Sequence, residues 1–135
     1  MEQLPIISII IPVSTSDRYL DECLDYCRTL DYPDFEIILL PDELPEFELP
    51  DTKVIPTGHT DPSLKRNIGI KHARGEICAF IDADAYPSRD WLKIAVAHFS
   101  SPEVVAVGGP NLTPADDTPM QQANGIIFSS FLGGR

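Results

Sequence analysis

An open, mostly parallel α/β sheet flanked by helices is the fold this sequence predicts, and three observations predict it. β-Branched or otherwise apolar runs at residues 6–13, 35–40 and 76–81 carry few polar residues, as strands buried on both faces do. Segments with apolar residues at helical spacing lie between the strands, and that alternation marks parallel strands joined by crossover helices. Polar loops follow the runs, at the strand ends where open sheets of this kind bind ligands.

The first strand is Ile6 to Val13, broken only by Ser8. Ser16 or Asp17 then caps a helix on which Tyr19, Leu20, Cys23, Leu24, Cys27 and Leu30 form the apolar stripe, and Tyr32-Pro33 stops it. Phe35 to Leu40 is the second strand, closed by Pro41-Asp42, and Lys53 to Pro56 a short third one. The acidic, proline-broken stretch from Pro41 to Pro50 is a surface loop. Asp61-Pro62 supplies a cap and a proline at the first helical position. On that helix Leu64, Ile68 and His72 share a face, and Arg74-Gly75 ends it. Glu76 to Ile81 is the next strand; Ser88 caps a helix bearing Trp91, Leu92, Ala95, Val96 and Phe99; Glu103 to Val107 reads as a further strand.

The chain has 135 residues, enough for one domain with a real core, so residues 1–135 read as a single domain. Ten Lys plus Arg against 21 Asp plus Glu give a formal net charge of −11, which repels nucleic acid and anionic headgroups. An anionic ligand then needs local Arg or Lys, a helix N-terminus or a bound cation. Cys23, Cys27 and Cys78 lack metal-ligand spacing and read as buried reduced thiols of a reducing compartment. The apolar tracts are far shorter than the ~20 residues of a membrane span. The acidic start Met1-Glu2 also lacks the basic region of a signal peptide, so a soluble, cytoplasmic chain is expected.

Phe80-Ile81-Asp82-Ala83-Asp84-Ala85-Tyr86-Pro87 places two carboxylates one residue apart where a strand becomes a loop. Alternate residues of extended chain share a face, so Asp82 and Asp84 can reach one ligand. Their hard oxygens suit Mg²⁺ or Mn²⁺, ions that bridge to the phosphates of a nucleotide. A bare Asp-x-Asp equally serves helix capping and solvation, and its neighbours decide between the two.

Those neighbours resemble the nucleotide-binding half of family 2, inverting, GT-A-fold glycosyltransferases, whose sheet is Rossmann-like. The matching strings are Ile6-Ile7-Ser8-Ile9-Ile10-Ile11-Pro12-Val13, Tyr32-Pro33-Asp34-Phe35-Glu36-Ile37-Ile38, Arg66-Asn67-Ile68-Gly69-Ile70 with Ala73-Arg74-Gly75-Glu76, and Phe80-Ile81-Asp82-Ala83-Asp84 followed by Trp91-Leu92. They run from about Ile6 to Gly109 in the family's order. The resemblance implies that Pro12, Val13 and Asp42 hold the base and ribose, that Arg66 with Asn67 sits near the base or diphosphate, that Asp82 meets the ribose or a metal water, and that Asp84 ligates Mg²⁺ or Mn²⁺ directly. It implies a nucleotide-diphospho-sugar donor, UDP-linked by preference, and a glycan or lipid-linked acceptor. Three departures bear on donor identity. Ser14-Thr15 replaces an aromatic residue and Asn, Pro41-Asp42 replaces Asp-Asp, and Ala85 replaces an acid.

Val107-Gly108-Gly109-Pro110-Asn111-Leu112-Thr113-Pro114, with Gln121-Gln122 and a later Gly-Gly, resembles a bacterial and archaeal subset. Its members often build surface polysaccharides and carry membrane helices further along, which places a longer form at the cytoplasmic face of a membrane. In the family the general base lies well beyond the paired aspartates, so here it is expected beyond Arg135. Asp116 and Asp117 read as helix caps. Ile126, Ile127, Phe128, Phe131 and Leu132 make an apolar tail with nothing after it to cover it. Self-association through the tail is therefore expected, and a C-terminally truncated enzyme is the reading. Two rivals stand beside it. One is a phosphatase with the first Asp as nucleophile, although Tyr86 stands where such enzymes carry Thr or Val. The other is a donor-binding or interaction module without catalysis.

Overall fold

Six consecutive buried residues, Ile7–Pro12, make β1 the centre of a four-stranded parallel sheet in a computed structural model that describes residues 4–129. β2 (Phe35–Leu40) pairs with one edge of β1, Ile7 opposite Phe35 and Pro12 opposite Leu40; β4 (Ile77–Phe80) pairs with the other, Ile10 opposite Phe80. β3 (Thr52–Val54) lies outside β2, giving the order β3-β2-β1-β4. α1 (Arg18–Arg28) joins β1 to β2, and α2 (Pro62–His72) joins β3 to β4 across the whole sheet. The two crossovers run in opposite directions along the sheet, so right-handed connection puts their helices on opposite faces. The point where the direction reverses lies between β1 and β4.

Alternation along β1 divides the core. Ile7, Ile9 and Ile11 pack with Leu20, Cys23, Leu24 and Cys27 of α1 and with Leu92 of α3 (Trp91–Ala97). Ile10, with Ile38 and Leu40, faces the α2 side, where Ile55, Ile68, Ala73 and Cys78 pack. Ser8 shares that side, wholly buried, and satisfies its hydroxyl by donating to Glu36 Oε1 at 2.6 Å and accepting the Gly75 N–H at 2.9 Å. A Cβ on Gly75 would lie 2.5 Å from the Ser8 nitrogen, so only glycine lets the chain enter β4 this close to β1.

The structure corrects four details. The strand expected at Glu103 to Val107 is absent: Val104 to Val107 has no regular structure, and Val105 is 88% exposed. A valine-rich run becomes a strand only where a neighbour takes its backbone hydrogen bonds, and among the described residues none does. Ser88 does not cap α3; its hydroxyl donates to Asp90 Oδ1, and the helix starts at Trp91. α2 buries Lys65 and Gly69 and leaves Leu64 and His72 exposed, so the face expected from Leu64, Ile68 and His72 is not the buried one. Asp116 and Asp117 do not cap α4 (Pro119–Ser129). That role falls to Thr118, whose N–H meets Gln121 Oε1 at 3.1 Å while its hydroxyl oxygen accepts the Gln121 N–H at 3.4 Å, a reciprocal capping box.

The chain divides into two compact units, one ending at Ala97 and one starting at His98. The sheet, α1, α2 and α3 belong to the first; a turn of 3₁₀ helix at His98–Ser100 and α4 belong to the second. Ile126 and Ile127 are exposed on α4, whereas Phe131 and Leu132 lie outside the described residues.

Candidate functional site

Because all four strands run parallel, the loops after β1, β2 and β4 leave the same rim. A cleft of about 570 Å³ opens there, at the reversal point between β1 and β4. One wall is the loop after β1, from Pro12 to Thr15, with Asp17. Asp17 also caps α1, its Oδ1 accepting the Tyr19 and Leu20 N–H groups at 3.0 and 3.1 Å. The facing wall is Asp82, Ala83 and Asp84, and the first turns of α2 close the cleft with Pro62, Ser63, Lys65 and Arg66. α2 is held in place by Asp61, whose carboxylate accepts the Leu64 N–H at 3.0 Å, with Pro62 at the first turn as its sequence predicts.

Five of the residues expected in the site therefore meet in one cleft: Pro12, Val13, Arg66, Asp82 and Asp84. The two aspartates differ in state. Asp82 Oδ1 receives Arg66 Nη2 at 2.6 Å, across a pair that is 33% and 65% exposed. Asp84 takes no hydrogen bond or ion pair from any described residue, and its exposed carboxylate faces open space. On the α1 side, the buried Cys23 thiol donates to the Asp82 carbonyl oxygen at 3.8 Å.

Two expected residues stand elsewhere. Asn67 is exposed on α2 outside the cleft lining. Asp42 is set behind the lining: Oδ1 accepts from the Lys65 ammonium in a short contact, and His59 Nδ1 lies 2.9 Å from Oδ2. The Lys65 hydrogen bond first, and that of His59 second, hold the Asp42 carboxyl below the usual carboxylate range. Lys65 itself escaped the sequence reading, although its signal was there: it lies four residues before Gly69, and a residue without a side chain on a helix face marks the face that approaches a sheet most closely.

A divalent cation fits this donor set in chemistry. Asp84 offers hard carboxylate oxygens that no described residue occupies, with Asp82 beside it. No group of three or more His, Cys, Asp or Glu gathers among the described residues, so most of such an ion's ligands would come from phosphate and water, the usual habit of Mg²⁺.

Comparison with known proteins places these features. The model of the family Glycosyl transferase family 2 matches residues 8–133. The chain is 27% identical over 147 aligned positions to a dolichyl N-acetyl-alpha-D-glucosaminyl phosphate 3-beta-D-2,3-diacetamido-2,3-dideoxy-beta-D-glucuronosyltransferase of Methanococcus voltae, covering 95% of this chain and 46% of that one. Among solved structures it resembles the mannosyltransferase PcManGT of Pyrobaculum calidifontis, in complex with GDP-Man and Mn²⁺, at TM-score 0.67 and 26% identity over 76% of this chain and 34% of that one. It resembles TarS of S. aureus, in complex with UDP-GlcNAc, at TM-score 0.59 and 30% identity over 67% of this chain and 30% of that one. The chain thus spans less than half the length of the relatives it matches.

Proposed function

The chain belongs to glycosyl transferase family 2, with a GT-A-type sheet, and from that premise we propose that its cleft holds the nucleotide-diphosphate end of a sugar donor, UDP-linked by preference, for inverting transfer to a glycan or lipid-linked acceptor. The observation that carries the reading is the free Asp84 carboxylate beside the Arg66–Asp82 pair, in a cleft at the sheet's reversal point. A net charge of −11 makes local cations decisive for holding a diphosphate.

In this reading the Pro12–Thr15 loop, with Val13, borders the nucleoside, and Asp42 acts on that end from behind the wall. Arg66 offers a planar fork of donors to phosphate oxygens and can leave Asp82, because their exposed pairing is worth only about 0–1 kcal/mol. Asp84, with Asp82, would hold Mg²⁺ or Mn²⁺, which supplies charge neutralisation for the leaving diphosphate. Asn67 lies one residue past Arg66, and its exposed amide is available to a ligand extending beyond the cleft. The acceptor hydroxyl has to lose its proton to a carboxylate on the opposite face of the sugar, and that base is assigned to no residue here.

Calorimetric titration of the chain with UDP and with GDP, in Mn²⁺ and in EDTA, tests the reading. Binding of at least one nucleotide that weakens about tenfold or more in EDTA is expected, a difference of about 1.4 kcal/mol. Equal affinity in both buffers removes the metal, and no binding of either nucleotide removes the donor site.

A further inference from the structure

Lys65 is the one buried charged side chain among the described residues, 1% exposed. Burying an ammonium is costly unless each of its hydrogens finds an acceptor. Here all three do: the Val13 carbonyl at 2.5 Å, the Leu40 carbonyl at 3.2 Å and Asp42 Oδ1. The acceptors belong to the ends of β1 and β2 and to the loop that follows β2, while the donor comes from α2. Gly69 makes the reach feasible, since a Cβ there would lie 2.6 Å from Ile10 Cγ2 and hold the helix off the sheet. With its donors saturated the ammonium has none left for a ligand, whereas the partly exposed guanidinium of the neighbouring Arg66 is paired with Asp82 at the cleft.

We propose that Lys65 is a positioning residue: by fastening Val13, Leu40 and Asp42 to α2 it preforms the nucleoside wall of the cleft without touching the donor. The proposal rests on the donor-site reading above and adds to it how that wall is made rigid. Rigidity matters because a wall that must be ordered on binding weakens the complex by the cost of ordering it.

Two measurements on the whole chain test it: calorimetry with UDP and GDP in Mn²⁺, and amide hydrogen exchange without ligand. They compare the wild type with Lys65→Met and with Lys65→Met/Asp42→Asn, which also removes the carboxylate that the single change strands. The amides of Val13, Thr57 and Gly58 report on the fastening, since they donate to the carbonyls of Leu40, Pro41 and Asp42. In both variants these three should exchange about tenfold faster or more, with the amides inside β1 unchanged, and affinity should fall about tenfold. The double variant should recover thermal stability but not affinity. Three results overturn the proposal. The first is affinity that holds in folded Lys65→Met, the second affinity that returns with stability in the double variant, and the third affinity that falls while the three amides keep their protection, which would make Lys65 a direct contact. Absence of nucleotide binding by the wild type defeats the donor site itself, whereas wild-type binding that both variants share defeats only the role of Lys65.

Discussion

Asp82 and Asp84 follow the same strand, two and four residues past the end of β4, and both line the cleft, yet only one of them lacks a partner among the described residues. Arg66 occupies Asp82 Oδ1, while Asp84 has no hydrogen-bond or ion-pair partner among the described residues. The two should therefore separate by mutation. Asp84→Asn keeps shape and removes charge, so it should abolish the difference in nucleotide affinity between Mn²⁺ and EDTA and leave the melting temperature unchanged. Asp82→Asn should retain part of that difference, because it removes the weaker claimant on the ion and releases Arg66 to the phosphates. Stability should change by no more than about 1 kcal/mol, as for other exposed pairs. Titrations paired with thermal melts check both variants. Unfolding by Asp84→Asn, with affinity intact in the folded fraction, would make the motif structural.

At the scale of elements, the strands were legible because their cause is local. β2 was expected at Phe35 to Leu40 and is found there, and β1 and β4 each differ from expectation by one residue at either end. Apolar runs bounded by polar or proline residues state their own limits. The buried face of α2 was not legible in the same way, because what decides it is the distance to the sheet rather than hydrophobicity. Gly69 and the long stem of Lys65 fit that narrow gap, and Leu64 is left 47% exposed. Gly69→Ala should accordingly destabilise. Its Cβ meets Ile10 Cγ2 at 2.6 Å and Leu40 Cδ1 at 3.1 Å, and the β-branched Ile10, buried in the central strand, is restricted at χ1 and has little freedom to move aside. Overpacking costs about 1–3 kcal/mol, against about 1 kcal/mol gained from alanine's helix propensity. Gly75→Ala should cost more, since its Cβ meets backbone at 2.5 and 2.8 Å, and backbone in the central strand cannot give way. Urea unfolding of the two variants measures the order, and a more stable Gly69→Ala would show that α2 has room to move.

Across the whole molecule, residues that line the cleft were legible in the sequence, while of the Lys65–Asp42–His59 cluster behind it the sequence reading named Asp42 alone, and the pairing became visible only once α2 was laid on the sheet. The cluster has a consequence for acid stability. Its Asp42 is held below the usual carboxylate range by Lys65 and then by His59. Glu36 is also lowered: partial burial pushes it up, but the Ser8 hydroxyl, the Arg74 N–H and the nearby Arg74 and Lys53 charges outweigh that push. Unfolded Asp and Glu titrate near ~3.9 and ~4.3. A carboxylate lowered in the fold contributes its full stability above those values and loses it as pH falls through its folded value, where protonation ends the pairing. The net charge of −11 works the other way, since protonating unpaired acids relieves self-repulsion. The two effects are separated by comparing wild type with Asp42→Asn rather than by the wild-type profile alone, because repulsion acts on both nearly equally. At pH 7 the variant should melt lower than wild type, with Lys65 left buried and without its counter-charge. As pH falls below about 4 the gap should close, because protonation of Asp42 leaves the wild type in the same condition. Thermal melts from pH 7 to pH 2.5 read the gap directly, and a gap that stays constant through the carboxylate range would mean that the Asp42–Lys65 pairing does not stabilise the fold through charge.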